Sequence, residues 1–224
     1  MKTKAVFIKR ILFLLSTMMV TTGVCVQAQD NTEEAGLDER VQTFLNSKKY
    51  EWRDMNVPAS DGRLLYDIIL KNGYTKGLEI GTSTGHSTIW IAWALSKTGG
   101  KLTTIEIDES RYKEALANFK EAGLLPYIDA HLADAHKMVK ELQGPFDFVF
   151  SDADKNWYVN YFKDVSSKLV IGGCFTAHNV RPAGQGSRGM SGTRAYLEYV
   201  QGLTNYATTV DNTGGGLAIS YKKE

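Results

Sequence analysis

The sequence predicts an α/β fold, a doubly wound seven-stranded sheet that is mostly parallel and closes with a C-terminal antiparallel hairpin. Three observations predict it. From Gly73 onward, short β-type apolar runs alternate with helix-period segments, the pattern of a parallel sheet covered by helices on both faces. Five such strand-helix units can be counted. The chain then ends on YATTVD and GLAISYKK around the turn-forming NTGG, which reads as two antiparallel strands.

Residues 1–28 stand apart from that pattern. MKTKAVFIKR is basic, ILFLLSTMMVTTGV is apolar, and Val26-Gln27-Ala28 ends the stretch on small residues, so a cleavable signal peptide and an exported, periplasmic protein are expected. The apolar run is short for a membrane span and polar residues follow it at once, so no stable span is expected after processing. Cleavage would remove four cations and no acid, moving the formal net charge from +1 to −3. Such a balance gives no electrostatic reason to expect nucleic acid or an anionic membrane as partner. Cys174 then remains as a single thiol, and residues 29–224 are expected to form one domain held by its core.

Two helices are expected first, Asp38 to Leu45 and Asp61 to Leu70, the second with Leu64, Leu65, Ile68 and Ile69 on one face. Strands follow at Gly77 to Gly81, Lys101 to Ile107, Ile128 to Ala133, Phe146 to Ser151 and Val170 to Ala177. Between and after them come helices at His86 to Lys97, Ser110 to Ala122, Ala135 to Leu142, Tyr158 to Leu169 and Thr193 to Gly202. Val180 to Gly192, rich in glycine and carrying Arg181 and Arg188, reads as a mobile loop.

In open parallel sheets ligands sit beyond the carboxyl ends of the strands. The first such loop is Gly81-Thr82-Ser83-Thr84-Gly85, whose glycines admit a ligand close to the backbone ahead of a helix N-terminus. Glu106, after the second strand, is placed to accept the hydroxyls of a ribose. The two lie 25 residues apart, the span a βαβ unit needs to bring both to one nucleoside. A nicotinamide cofactor prefers G-x-G-x-x-G, and Ser83 stands where its second glycine would be, which disfavours an oxidoreductase.

With MNVPASDGRLL, LEIGTSTGHST, TTIEID, LADA, FDFVFSDADKNWY, GGCFTAHNV and GGGLAIS in this order, the chain resembles the class I S-adenosylmethionine-dependent O-methyltransferases. The resemblance is to their cation-dependent branch, which includes catechol and caffeoyl-coenzyme A methyltransferases. It implies a Rossmann-like sheet, a small hydroxylated acceptor and a homodimer. It also implies that Glu79, Gly81, Thr82 and Ser87 surround the amino-acid end of S-adenosylmethionine, that Glu106 takes the ribose and that Ala135, after Asp134, meets the adenine. Val57 matches a position whose backbone lines the cofactor pocket, and Asp154 one that faces the cofactor. Asp134 equally fits a helix N-cap.

Asp152 and Lys155 match the family's metal-ligating carboxylate and the lysine that helps deprotonate the acceptor. In the family two further metal ligands, Asp-Asn, follow the fifth strand, where this chain has His178-Asn179. An imidazole beside Asp152 and Asn179 suits zinc, manganese or iron better than magnesium. Either the metal has changed or it has been lost, leaving His178 as a general base. A non-catalytic module that binds S-adenosylmethionine or S-adenosylhomocysteine is the other open reading. Trp90 and Trp93 are expected to pack on the sheet, His86 to lie at the surface or a helix N-terminus, and Cys174 to be buried. Trp157 and Tyr158 fit either an acceptor pocket or the core, and His131 and His136 have no partner that spacing reveals.

Overall fold

The computed structural model describes residues 36–52, 55–182 and 191–224. The expected signal peptide and Gly184, Gly186, Arg188 and Gly189 of the glycine-rich segment lie outside the described residues. Among those described, no helix is long and apolar enough to cross a membrane.

Helix α1 covers residues 36–47, and α2 spans Ala59–Asn72. Pro58 occupies the N-cap of α2, where its missing N–H costs no helical hydrogen bond. The helix therefore starts two residues earlier than the pattern suggests, and Asp61 falls in its first turn, buried, instead of at its solvated end. Leu65, Ile68 and Ile69 form the buried face, with Leu64 partly buried beside them.

The alternating units follow: β1 Lys76–Ile80, α3 His86–Thr98, β2 Lys101–Glu106, α4 Glu109–Ala122, β3 Ile128–Leu132, α5 Ala135–Glu141, β4 Phe146–Ser151 and α6 Tyr158–Ser166. Then come β5 Leu169–His178, α7 Ser191–Gln201, β6 Tyr206–Asp211 and β7 Leu217–Lys222. The seven strands run in the order β3-β2-β1-β4-β5-β7-β6, with β7 antiparallel to both of its neighbours and the other pairs parallel. Chain order reverses between β1 and β4, so the crevice expected of a doubly wound sheet opens at their carboxyl ends.

Side-chain alternation divides the core between the two faces. Phe148 and Phe150 of β4 and Cys174 of β5 pack with α1, α2 and α3, whereas Val149 and Phe175 pack with α6 and α7. The fifth strand extends one residue beyond its expected end and includes His178. At period two from Cys174 and Thr176, His178 therefore points to the face covered by α2. That register decides its partner.

His86 is the first residue of α3, as one of its two expected placements has it, but its surface placement and the packing of the tryptophans are corrected. His86 is buried, only 4% exposed, because α3 lies under α2 and the chain between α1 and α2 folds over it. Its ring stacks on Trp52 with centroids 4.5 Å apart. Trp90 packs against α2, where a side chain on Gly62 would collide with its indole, and Trp93 donates to Asp38 of α1 at 2.6 Å. Both tryptophans bind helix to helix. Cys174 is buried as expected, and burial pushes its thiol well above the usual range.

Candidate active site

A cavity of about 460 Å³ opens at the carboxyl ends of β1, β2 and β4, lined among others by Gly81, Ser83, Glu106, Asp134, Ala135 and Asp154. Gly81 makes it possible. Its φ of +100° suits glycine alone, and an added Cβ would stand 2.9 Å from the backbone of Asp152 and Ala153. The β1 turn thus passes directly against the segment after β4. Backbone N–H groups of Gly81 and Thr82 both donate to Ile105 O, tying the turn to β2 as well.

Glu106 is 6% exposed and accepts three backbone N–H groups, from Ser83 at 2.7 Å on Oε2 and from Ile107 and Asp108 at 3.0 and 2.9 Å on Oε1. A carboxylate has about four acceptor positions, so one remains for a ligand hydroxyl. Ser83 Oγ lies buried at the same wall with no partner. Asp134 serves as N-cap of α5, accepting from His136 N at 2.9 Å, and lines the cavity too, so both expected placements coincide.

Four expected residues, Glu79, Thr82, Ser87 and Val57, are not on the cavity wall. Glu79 is fully buried and accepts from Ser87 Oγ, Thr88 Oγ1 and Thr104 Oγ1 at 2.5 to 2.6 Å. Burial pushes its carboxyl up to about 7 against those hydroxyls, which pull it down. Thr82 Oγ1 shares a 2.6 Å hydrogen bond with Thr104 Oγ1. Val57 lines a neighbouring cavity, and its carbonyl engages His86 Nδ1 at 2.9 Å.

Sequence reasoning missed His136 and Tyr161, which also line the cavity. The His136 ring stacks on Trp157 at 4.3 Å and 23°, and its Nε2 lies 3.4 Å from Asp154 Oδ2. His136 follows Ala135 directly, and that adjacency was the available signal. The wall therefore combines a flat aromatic pair, a carboxylate with one open acceptor position and an unpartnered hydroxyl. Together these fit a polar nucleoside-bearing cofactor.

Beside this cavity lies a cluster of charges. Lys155 Nζ donates to Asp152 Oδ1 and, at 2.9 Å, to Tyr158 OH, which donates onward to His178 O at 3.2 Å. Tyr158 is itself fully buried, so it belongs to the core and contributes its hydroxyl to the site from below. His178 Nδ1 faces Asp152 Oδ2 at 3.3 Å, and its Nε2 lies 2.8 Å from Asp61 Oδ2. Asp61 is the second omission. In sequence it is an ordinary first-turn helix acid 117 residues from its partner.

Electrostatics match this geometry. Burial alone would lower the His178 imidazole, but its hydrogen bonds and attraction to Asp152 and Asp61 outweigh that and push it up to about 9. For Asp61 burial acts upward, and the His178 contact and the Gly215 N–H outweigh it, holding the carboxyl below its ordinary range. His178 is thus no available general base. It is 4% exposed and both its nitrogens face carboxylates.

The proposed metal ligands Asp152, His178 and Asn179 do not fit a divalent ion. Asp152 gives one oxygen to Lys155, His178 turns Nε2 to Asp61, and its Nδ1 lies buried 3.3 Å from the other Asp152 oxygen without a hydrogen bond. Asn179 leaves the strand at φ +57°. Among the described residues no three His, Cys, Asp or Glu side chains are arranged to hold an ion.

Comparison with known proteins agrees with this geometry. Residues 29–201 match the family model described as O-methyltransferase. Caffeoyl-CoA O-methyltransferase 1 of Eucalyptus globulus is 32% identical over 130 residues, covering 56% of this chain and 52% of that one. Caffeoyl-CoA O-methyltransferase 1 of Zea mays is 33% identical over 131 residues, covering 56% and 50%. The chain spans about half the length of these relatives. Among solved structures, the O-methyltransferase TomG of Streptomyces achromogenes, in complex with SAM, superposes with a TM-score of 0.71 at 27% identity, covering 83% of this chain and 90% of that one. An O-methyltransferase of Bacillus cereus in complex with SAH gives 0.69 at 25% identity, covering 84% and 91%.

Proposed function

Since the chain belongs to the O-methyltransferase family, we propose that it transfers the methyl group of S-adenosylmethionine to a hydroxyl of a small, catechol-like acceptor. The observation that carries this is the adjacency of the nucleoside-type cavity and the Asp152-Lys155 pair, since Asp152 lines the cavity and bonds Lys155 directly. Two solved relatives of the same fold hold SAM and SAH.

S-adenosylmethionine supplies an electrophilic methyl group on a sulfonium, which leaves as a neutral thioether. The chain's residues supply placement and a proton acceptor. Glu106 and Ser83 offer hydrogen bonds to the nucleoside, and the His136-Trp157 pair offers a flat face. Asp152 and Lys155 face the acceptor hydroxyl. An oxygen that has partly gained a methyl group is strongly acidic, so a carboxylate is a sufficient base. As the new O–CH3 bond forms, the O–H proton passes to the Asp152-Lys155 pair and from there to water. No step uses a metal.

The basic and apolar N-terminal residues and the small residues at Val26 and Ala28 support a signal peptide at 1–28 and a single mature domain at 29–224, exported to the periplasm. S-adenosylhomocysteine release from purified mature protein, followed over a panel of catechols, tests the activity. Turnover with at least one dihydroxylated aromatic is expected, and none across the panel would count against catalysis.

A further inference from the structure

Asp61, His178 and Asp152 form a bracket, and the surrounding chain is shaped to hold it. The side chains of Asp61 and His178 are 3% and 5% exposed. Three distant segments enclose them: α2 supplies Asp61, β5 supplies His178, and the turn between β6 and β7 lies over both. That turn requires glycine. A Cβ at Gly214 would stand 1.7 Å from Asp61 Oδ1, and one at Gly215 would stand 2.4 Å from His178 Nε2. Gly215 N donates to Asp61 Oδ2 at 2.7 Å, and the Arg181 guanidinium holds the turn by donating to Gly214 O at 2.6 Å.

Two carboxylates, Asp61 and Asp152, face two nitrogen centres, His178 and Lys155, with the neutral Tyr158 hydroxyl between Lys155 and the strand. His178 Nδ1 is buried without a hydrogen-bond partner, 3.3 Å from Asp152 Oδ2, while its Nε2 is held by Asp61. A divalent ion there would lie beside the Lys155 side chain and find Asp152 Oδ1 and His178 Nε2 already taken. Among the described residues no three His, Cys, Asp or Glu side chains converge there to meet a metal's preference for several ligands.

We propose that the Asp61-His178-Asp152 bracket replaces the divalent ion of the cation-dependent methyltransferases, so that His178, held by Asp61, is a positioning residue that sets Asp152 and Lys155 against the acceptor and the enzyme works without metal. This rests on the methyl-transfer reading above. It assigns Asp61 and the Gly214-Gly215 turn a shared task. Asp61 fixes the ring, and the glycines admit it.

The test uses mature protein stripped with chelator. Calorimetric titration with manganese and with zinc should show no stoichiometric binding, the ring resonances of His178 in histidine-labelled protein should be unchanged by either ion, and turnover should stay within about twofold in EDTA. Asp61→Asn should lower kcat by about tenfold or more while the affinity for S-adenosylmethionine holds, the scale expected when a catalytic group is misplaced, and Asp61→Glu should restore part of it. One tightly bound manganese or zinc per chain that His178→Ala abolishes would overturn the proposal, as would loss of turnover in EDTA. Should S-adenosylmethionine itself fail to bind, the methyl-transfer reading falls, and the ion titration and the histidine spectra still decide whether the bracket excludes metal.

Discussion

His178 Nε2 and Asp61 Oδ2 lie 2.8 Å apart across 117 residues of sequence, joining the fifth strand to the helix that precedes the whole sheet. The pair is nearly sealed from water, so removing one member leaves a buried charge without a partner. Asp61→Ala should destabilise the protein by about 3 kcal/mol in urea denaturation. The double variant Asp61→Ala, His178→Ala should cost clearly less than the two single changes together. Strict additivity would show that the two groups do not interact.

His86 sets the acid limb of stability. Burial lowers its imidazole to about 4, against a smaller opposing effect of the Val57 carbonyl. Between pH 4 and about 6.5 the unfolded chain therefore binds the proton that the folded chain refuses, so this residue makes stability rise with pH through that window. The contribution is about 3 kcal/mol at full extent. Chemical denaturation from pH 4.5 to 7 should show the rise, and His86→Phe should flatten it. An unchanged slope in the variant would refute the assignment.

Glu79 acts in the opposite sense. Its carboxyl, pushed up to about 7 by burial, keeps its proton where the unfolded chain has lost it, so its stabilising protonated form is present at low pH and lost as pH rises towards 7. A cationic ammonium placed near Glu79 would draw that proton off. Calorimetry of S-adenosylmethionine binding at pH 6.5 in buffers of different ionisation enthalpy should report proton release, and Glu79→Gln should abolish it.

Gly81→Ala combines a φ of +100° with a Cβ 2.9 Å from the backbone of Asp152 and Ala153. The strained turn must move away from β4 and narrow the cavity. An affinity for S-adenosylmethionine weakened by about tenfold or more, in a protein that still unfolds cooperatively, is expected from a strain of about 1–2 kcal/mol. Unaltered affinity would place the cofactor elsewhere.

The sheet was legible because its strands are short β-branched and aromatic runs separated by capped helices, and because NTGG marks the final hairpin. Gly81 and Glu106 could be found from strand ends alone, since the crevice position follows from topology, whereas Asp134 and Asp154 follow from the family resemblance. Two features were not legible. The burial of His86 depends on the chain between α1 and α2 folding over α3, a contact that carries no period in sequence. The Asp61-His178 pair depends on Pro58 starting α2 early and on β5 running one residue longer, which turns His178 to the α2 face. A one-residue difference in strand length decides between a cavity ligand and a buried ion pair.

The cavity at the ends of β1, β2 and β4 is the proposed methyl-donor site. Calorimetric titration of purified mature protein with S-adenosylmethionine and S-adenosylhomocysteine, repeated with Glu106→Ala, tests it most directly. Saturable binding of both at one site per chain, weakened by about tenfold or more in the variant as a charge-assisted hydrogen bond is lost, is the result expected. Binding of neither nucleoside, or equal affinity in the wild-type and Glu106→Ala proteins, would contradict it.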